Sequence, residues 1–404
     1  MRRRSALVAL WSAAALVAGG GALAVATNTA SAATGFGLAP YVDLSANSSG
    51  MLDSAITQAN LKAYTAAFII GSGCTPIWGD TLDINNSGSN AKIARAQSEG
   101  AQTIISFGGA AGAELAQSCP NTTSLTSAYQ SVINKYHVNH LDFDIEGAAI
   151  ADSGSINRRF QAINALEANN AGLNISVTIP VLQSGPDGNG TAFLQAAKNN
   201  GTRIDLVNIM TMDYGGAVSD MGAAAISAAQ GTVSIARNIW PGFGYASLGI
   251  TPMIGQNDQA GEIFTLANAQ SLVSFANSNG VGRLAFWSVG RDQPCPGGAG
   301  GGASPNCSSI SQSTLQFTGI FNGSTVGSPV PTPTRTSAPS PTPSRTTTPT
   351  PTATGAYPAW VVGHAYKVGD RVSYAGHNYQ CLQAHTSQSD WTPPAVPALW
   401  QLLS

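Results

Sequence analysis

Eight short apolar runs alternate with Ala-rich or mixed helical stretches between residues 37 and 289. This rhythm constrains the fold of the 404-residue chain more than any other property. The candidate strands are Gly37–Val42, Tyr64–Ile70, Thr103–Phe107, Asn139–Glu146, Asn174–Pro180, Leu206–Met212, Gly249–Ile254 and Leu284–Val289. Helical segments such as Ile156–Asn169 and Ala223–Ile239 separate most of them. Strands alternating with helices favour a parallel sheet covered by helices. Eight units in about 290 residues match a (β/α)8 barrel in both count and size. An open doubly wound sheet is the competitor, but no G-x-G-x-x-G or phosphate loop follows the first strand. The expected fold is therefore an α/β TIM barrel.

In such a barrel the strand C-termini form the functional face, and several candidate strands end in chemistry. The fourth reads Leu141-Asp142-Phe143-Asp144-Ile145-Glu146. Period 2 puts its three carboxylates on one face and its apolar residues on the other. Acids spaced roughly 6–7 Å apart along a strand repel one another, so a fold keeps them only for some gain. The third strand ends Ser106-Phe107-Gly108-Gly109, whose glycines let backbone approach a ligand. The sixth ends Met210-Thr211-Met212-Asp213-Tyr214, the seventh leads to Gln256-Asn257-Asp258, and the eighth carries Trp287.

Outside the barrel the chain has three further parts. Residues 1–32 read as a secretory signal peptide: three arginines, an apolar run from Ala6 to Ala26, and Ala30-Ser31-Ala32 as a cleavage site. Residues 34–325 form the large domain, and residues 326–356 are a Pro/Thr/Ser linker that cannot build a core. Residues 357–404 form a small aromatic-rich domain whose Gly and Pro punctuation suggests an antiparallel all-β sheet. The formal charge is −2, or −5 without the leader arginines, and only 9% of residues are charged. That balance argues against a nucleic-acid partner and fits a neutral substrate. Of the five cysteines, Cys295 and Cys307 bracket one loop, Cys74 and Cys119 would join two loops, and Cys381 stands alone. No Cys/His spacing suggests zinc, so no metal is expected.

The motifs resemble glycoside hydrolase family 18, the chitinases. Its S-x-G-G matches Ser106, Gly108 and Gly109, and its D-x-x-D-x-D-x-E matches Asp142, Asp144 and Glu146, with Asn139 in place of the first Asp. Its M-x-Y-D reads Met210-Thr211-Met212-Asp213, with Met212 in place of Tyr, and its strand-eight Trp fits Trp287. The resemblance implies substrate-assisted, retaining hydrolysis of chitin without a cofactor. Glu146 would be the general acid, and Asp144 would raise its pKa by repulsion. Asp144 would orient the substrate acetamido group and share a proton with Asp142. Trp287 would floor the reacting sugar's subsite, while Tyr214, Asp213 and Gln256 would hold acetamido or hydroxyl groups. Tyr214 takes the role that Met212 cannot fill, having the same strand parity. Asn139 would remove a charge from the bottom of the carboxylate ladder.

The small domain resembles carbohydrate-binding module families 5 and 12, through the run from Tyr379 with Trp391 and Trp400. That resemblance implies an exposed chitin platform at Trp391, with Trp360 and Trp400 in the core and His385 structural. Jointly they imply a secreted, extracellular, monomeric chitinase acting on chitin and chitooligosaccharides, with no membrane partner after leader removal. The alternatives are an endo-β-N-acetylglucosaminidase acting on N-glycans and a non-catalytic chitin lectin.

Overall fold

The computed structural model describes residues 36–324, apart from 47–49 and 80, and residues 357–403, apart from 363, 383–384, 388–391, 395 and 397–398. The leader, the linker and Trp391 lie outside the described residues, as does the side chain of His385. The chain divides into two compact units, which part near residue 332.

Eight parallel strands build the large unit: β1 (Tyr41–Asp43), β2 (Ala63–Ser72), β3 (Gln102–Gly108), β4 (His140–Asp144), β5 (Asn174–Pro180), β6 (Leu206–Met210), β7 (Leu248–Thr251) and β8 (Arg283–Leu284). Neighbours pair in chain order from β1 to β8. The sheet closes because the segment leading into β1 also pairs with β8: Leu38 bridges Leu284, and the Tyr41 N–H donates to the Phe286 carbonyl at 3.0 Å. The expected barrel is thus present. A hairpin of Thr75–Trp78 and Leu82–Asp83 extends β2 beyond the barrel.

The outer ring comprises α1 (Met51–Thr57), α2 (Ser87–Ser98), the short α3 (Leu115–Ser118), α4 (Thr122–Tyr136), α5 (Ser153–Asn169), α6 (Gly188–Asn199), α7 (Met221–Ile239), α8 (Leu266–Asn279) and α9 (Gln316–Asn322). Side-chain caps start most of the long helices. Asn121, Asp152, Asp187 and Asp220 accept backbone N–H groups at the starts of α4 to α7, and Thr265 with Asn268 makes a capping box on α8. The long α7 buries Ala224, Ala225, Ala228, Ala229 and Ala236, small residues that let a helix lie close against the sheet.

Strand ends depart from the alternation read in the sequence. β7 stops at Thr251 because Pro252 has no N–H to continue the ladder. β6 stops at Met210, and Asp213 adopts a left-handed φ of 49°, which breaks strand parity beyond that point. Disulfides join Cys74 to Cys119 and Cys295 to Cys307.

The small unit contains a three-stranded antiparallel sheet of Arg371–Tyr374, His377–Cys381 and Trp400–Leu403, as expected of an all-β domain. A second pair joins Ala365–Tyr366 to His385–Thr386. Its core is Tyr366, Val372, Tyr379, Cys381 and Trp400, with Trp360 packed on it edge-to-face with Tyr374.

Candidate active site

β4 carries the carboxylates inward, and the register of its neighbours decides what each one meets. Ser106 of β3 and Ser176 of β5 are the cross-strand partners of Asp142, while Gly108 and Thr178 flank Asp144. Asp142 is fully buried and accepts from four hydroxyls: Tyr41 at 3.0 Å, Ser106 at 2.7 Å, Ser176 at 2.6 Å and Thr178 at 2.9 Å. Asn208 donates to the oxygens of both Tyr41 and Thr178, which orients their protons toward Asp142. Burial and the adjacent acids Asp142 and Asp144 raise the pKa of Tyr41, so its phenol stays a donor.

Asp144 stands in a different environment one step up the strand. It is 4% exposed, and its Oδ1 receives no hydrogen bond from the protein. Burial first, then Glu146 and Asp142, push its pKa well above the usual carboxylate range. Glu146 follows beyond the end of β4, with its pKa raised to about 7. The main cause is burial, followed by Asp213, and the repulsion between Glu146 and Asp144, which raises the lower acid, belongs to the pair. Three carboxyls thus sit in line, of which the upper two favour the protonated form.

Above the ladder a cavity of about 170 Å³ is lined by Asp144, Glu146, Tyr41, Met212, Asp213, Asp258 and Trp287, with Phe68, Ala110, Thr178, Met210, Thr251 and Met253 completing its wall. Trp287 stacks on Phe68 with ring centroids 5.5 Å apart and planes 14° off parallel. An aromatic face beside two carboxyls whose pKa values are raised suits a ligand with C–H surfaces and a basic leaving oxygen. Asp213 and Asp258 approach from the loops after β6 and β7. The Asp213 carboxylate accepts the Gln259 N–H at 2.8 Å, and Arg291 ties the second loop through the Ile254 carbonyl at 2.9 Å.

Of the sequence-predicted site residues, Asp144, Glu146, Met212, Asp213 and Trp287 line this cavity, and Asp142 lies directly beneath. Tyr214 and Gln256 do not line it. Tyr214 packs against the apolar core with its hydroxyl buried and unbonded, because the left-handed turn at Asp213 reverses the parity on which its assignment relied. The Gln256 amide donates to the backbone carbonyls of Asn257 and Glu262, which occupies it within its own loop. Asn139 is exposed and lies outside β4, three residues before Asp142 and therefore of opposite parity; the inward residue below Asp142 is His140.

The two glycines after Ser106 serve packing rather than ligand approach. A Cβ on Gly108 (φ 106°) would lie 2.0 Å from the Asp144 carbonyl oxygen, and one on Gly109 (φ 89°) 2.7 Å from the Phe68 ring.

Tyr41, Phe68 and Thr178 were missed from sequence, and Asp258, named with the loop after the seventh strand, was given no role. Tyr41 is the last residue but one of the first candidate strand, so the strand-end argument could have found it. Phe68 could not be found that way, because the pairing of β2 with β3 shifts register between Ala66 and Ile69.

Comparison with known proteins agrees with this geometry. A family model described as glycosyl hydrolases family 18 matches residues 38–239, half of the chain, and one for carbohydrate-binding module family 5/12 matches residues 359–401. A probable bifunctional chitinase/lysozyme of Escherichia coli K12 is 33% identical over 276 residues, covering 63% of this chain and 31% of that protein. Endochitinase 11 of Metarhizium anisopliae is 32% identical over 273 residues, covering 63% of this chain and 52% of that one. The chain thus spans about a third to a half of the lengths of these relatives. A catalytic-site mutant of active domain 2 of the Pyrococcus furiosus chitinase, solved with chito-oligosaccharides, superposes with a TM-score of 0.65 at 30% identity, covering 70% of this chain and 93% of that one. With its closed barrel, its β4 carboxylates and the family match over half its length, the chain belongs to glycosyl hydrolase family 18 and carries a family 5/12 carbohydrate-binding module.

Proposed function

We propose that the protein is an exported chitinase that hydrolyses β-1,4 links between N-acetylglucosamine residues with retention, using the substrate's own acetamido group as nucleophile. The observation that carries this reading is Asp144, buried beside the cavity with one oxygen that receives no hydrogen bond. An unsatisfied acceptor in that position calls for a donor, and an acetamido N–H supplies one while its carbonyl turns toward the anomeric carbon. Glu146, protonated up to about pH 7, gives its proton to the glycosidic oxygen and then takes one from the attacking water. As positive charge develops on the sugar, Asp144 passes its proton to Asp142 beneath it and, as a carboxylate, stabilises the positive oxazolinium. Asp142, held by four hydroxyls, keeps the ladder from collapsing as charge moves above it. Trp287 and Phe68 carry the apolar face of the sugar. The chitinase names of the relatives and the chito-oligosaccharide complex of the Pyrococcus domain support the same substrate, and the leader-like N-terminus supports export.

Time-resolved proton NMR of the full chain acting on a chitin hexamer tests the proposal. Fresh β-anomer before mutarotation is expected. Early α-anomer would exclude the substrate-assisted route, and an intact hexamer would point to a lectin.

A further inference from the structure

Below Asp142 the barrel interior holds a cation that the reaction scheme has not used. Arg283, on β8, is 2% exposed, and among the described residues its guanidinium makes no direct ion pair. Its Nη1 donates to the Ser176 hydroxyl at 3.2 Å, and Nη2 lies 2.9 Å from His140 Nε2. A guanidinium can only donate, so His140 Nε2 is the acceptor and the ring proton sits on Nδ1. Burial and Arg283 both push the His140 pKa well down, which keeps the ring neutral. Ser176, having accepted from Arg283, gives its single proton to Asp142 Oδ1 at 2.6 Å. The link therefore has a direction: cation, hydroxyl, carboxylate.

Among the interior acids, Asp142 acts most strongly on this charge. The titratable groups facing it are Tyr41 from β1, His140, Asp142 and Asp144 from β4, and Arg283 itself, with Glu146 and Asp213 above. Among the described residues, β2, β3, β5, β6 and β7 present no ionisable side chain to the interior. Burial lowers the Arg283 pKa, while Asp142 and Tyr41 oppose that loss. A buried cation and a buried anion each cost heavily alone and far less together.

We infer that Arg283 is a positioning residue which, through Ser176, keeps Asp142 ionised, so that the protons of the ladder reside on Asp144 and Glu146. The inference rests on the chitinase reading for its catalytic consequence, but its electrostatic core is measurable without turnover. An opposite charge within about 4–6 Å, the reach of one bridging hydroxyl, moves a carboxyl pKa by about one unit or more.

The experiment is a carbon-13 NMR titration of the aspartate carboxyls in the full chain, assigned with Asp142→Asn and Asp144→Asn. It runs alongside kcat/KM against pH on chitin hexamer, for the parent, Arg283→Met, Arg283→Gln, Arg283→Lys and Ser176→Ala. Arg283→Met is expected to raise the Asp142 pKa and the acid limb of the profile together by about one pH unit, a tenfold loss below that limb. Arg283→Lys, which retains the cation, is expected to move both by less than about half as much. Ser176→Ala is expected to shift Asp142 in the same direction as Arg283→Met, through the direct hydrogen bond it removes; Arg283→Gln, which loses the charge and keeps an N–H donor, decides the matter if Arg283→Met does not fold. An unmoved Asp142 in Arg283→Met, Arg283→Gln or Ser176→Ala overturns the inference. So do equal losses for Met and Lys at every pH, which mean packing alone. If the parent leaves chitin hexamer uncut, the functional reading falls while the titration still decides this one.

Discussion

Glu146 combines a buried carboxyl with an open cavity, and its behaviour separates chemistry from stability. Glu146→Gln is expected to lower kcat on chitin hexamer by about 10²–10⁴-fold, the usual worth of a general acid. In the parent, kcat/KM is expected to fall as pH rises through about 7, where Glu146 loses its proton. Stability moves with the same titration. The folded pKa lies above the ordinary glutamate value of 4.5, so the folded state holds a proton that the unfolded chain has released. Stability is therefore lost as pH climbs from about 4.5 toward 7, by at most about 3 kcal/mol in total. Glu146→Gln removes that penalty, so its Tm is expected to exceed the parent's at pH 8 and to match it at pH 4; equal Tm differences at both pH values would show that folding does not raise this pKa. Tyr214→Phe is expected to change kcat/KM by less than about threefold, because its hydroxyl does not line the cavity. A hundredfold loss would restore the role that strand parity assigned to it.

At the scale of elements, the site depends on how tightly β3, β4 and the loop before α3 meet. Gly108 leaves room for the Asp144 carbonyl, so Gly108→Ala forces either that carbonyl or a left-handed φ to give way. Its urea midpoint is expected to drop by an amount equivalent to several kcal/mol. The same loop is anchored by Glu114, which caps α3, lies 2.7 Å from Arg159 and is reached by the Tyr129 hydroxyl. Both ions are buried, at 4% and 0% side-chain exposure. Glu114→Gln strands a guanidinium in the core and is expected to cost about 3–5 kcal/mol by chemical denaturation. Only a marginal change would mean that water reaches Arg159. This pair was not legible in the sequence, since 45 residues separate its members and neither belongs to a recognisable motif. The caps were more accessible, because Asn, Asp and Thr before periodic segments have a local cause.

At the scale of the whole molecule, the chain has two units with separate cores, and the proposed function assigns cutting to the large one and holding to the small one. A chain ending at Ser324 is expected to cleave chitin hexamer within about twofold of the full chain and to release about tenfold less product from insoluble chitin, as lost tethering dictates. Equal release from insoluble chitin by both chains would deny the small unit a part in binding the polymer.

What the sequence determined by itself was whatever rests on local periodicity. The number and order of barrel strands, the inward face of β4 and the all-β character of the small unit follow from period-2 and helical patterns that neighbouring residues enforce. Strand ends carried Asp144, Glu146, Asp213 and Trp287 to the cavity for the same reason. Tertiary structure alone decided the rest. Barrel closure brought Arg283 of β8 beside His140 of β4, 143 positions earlier, and the Tyr41 hydroxyl onto Asp142, 101 positions later. Left-handed backbone at Asp213 and a register shift in β2 chose Asp213 and Phe68 over Tyr214. Proton positions along the ladder were settled last, because burial, which only the closed barrel creates, leads the causes of the raised pKa values, ahead of the neighbouring acids.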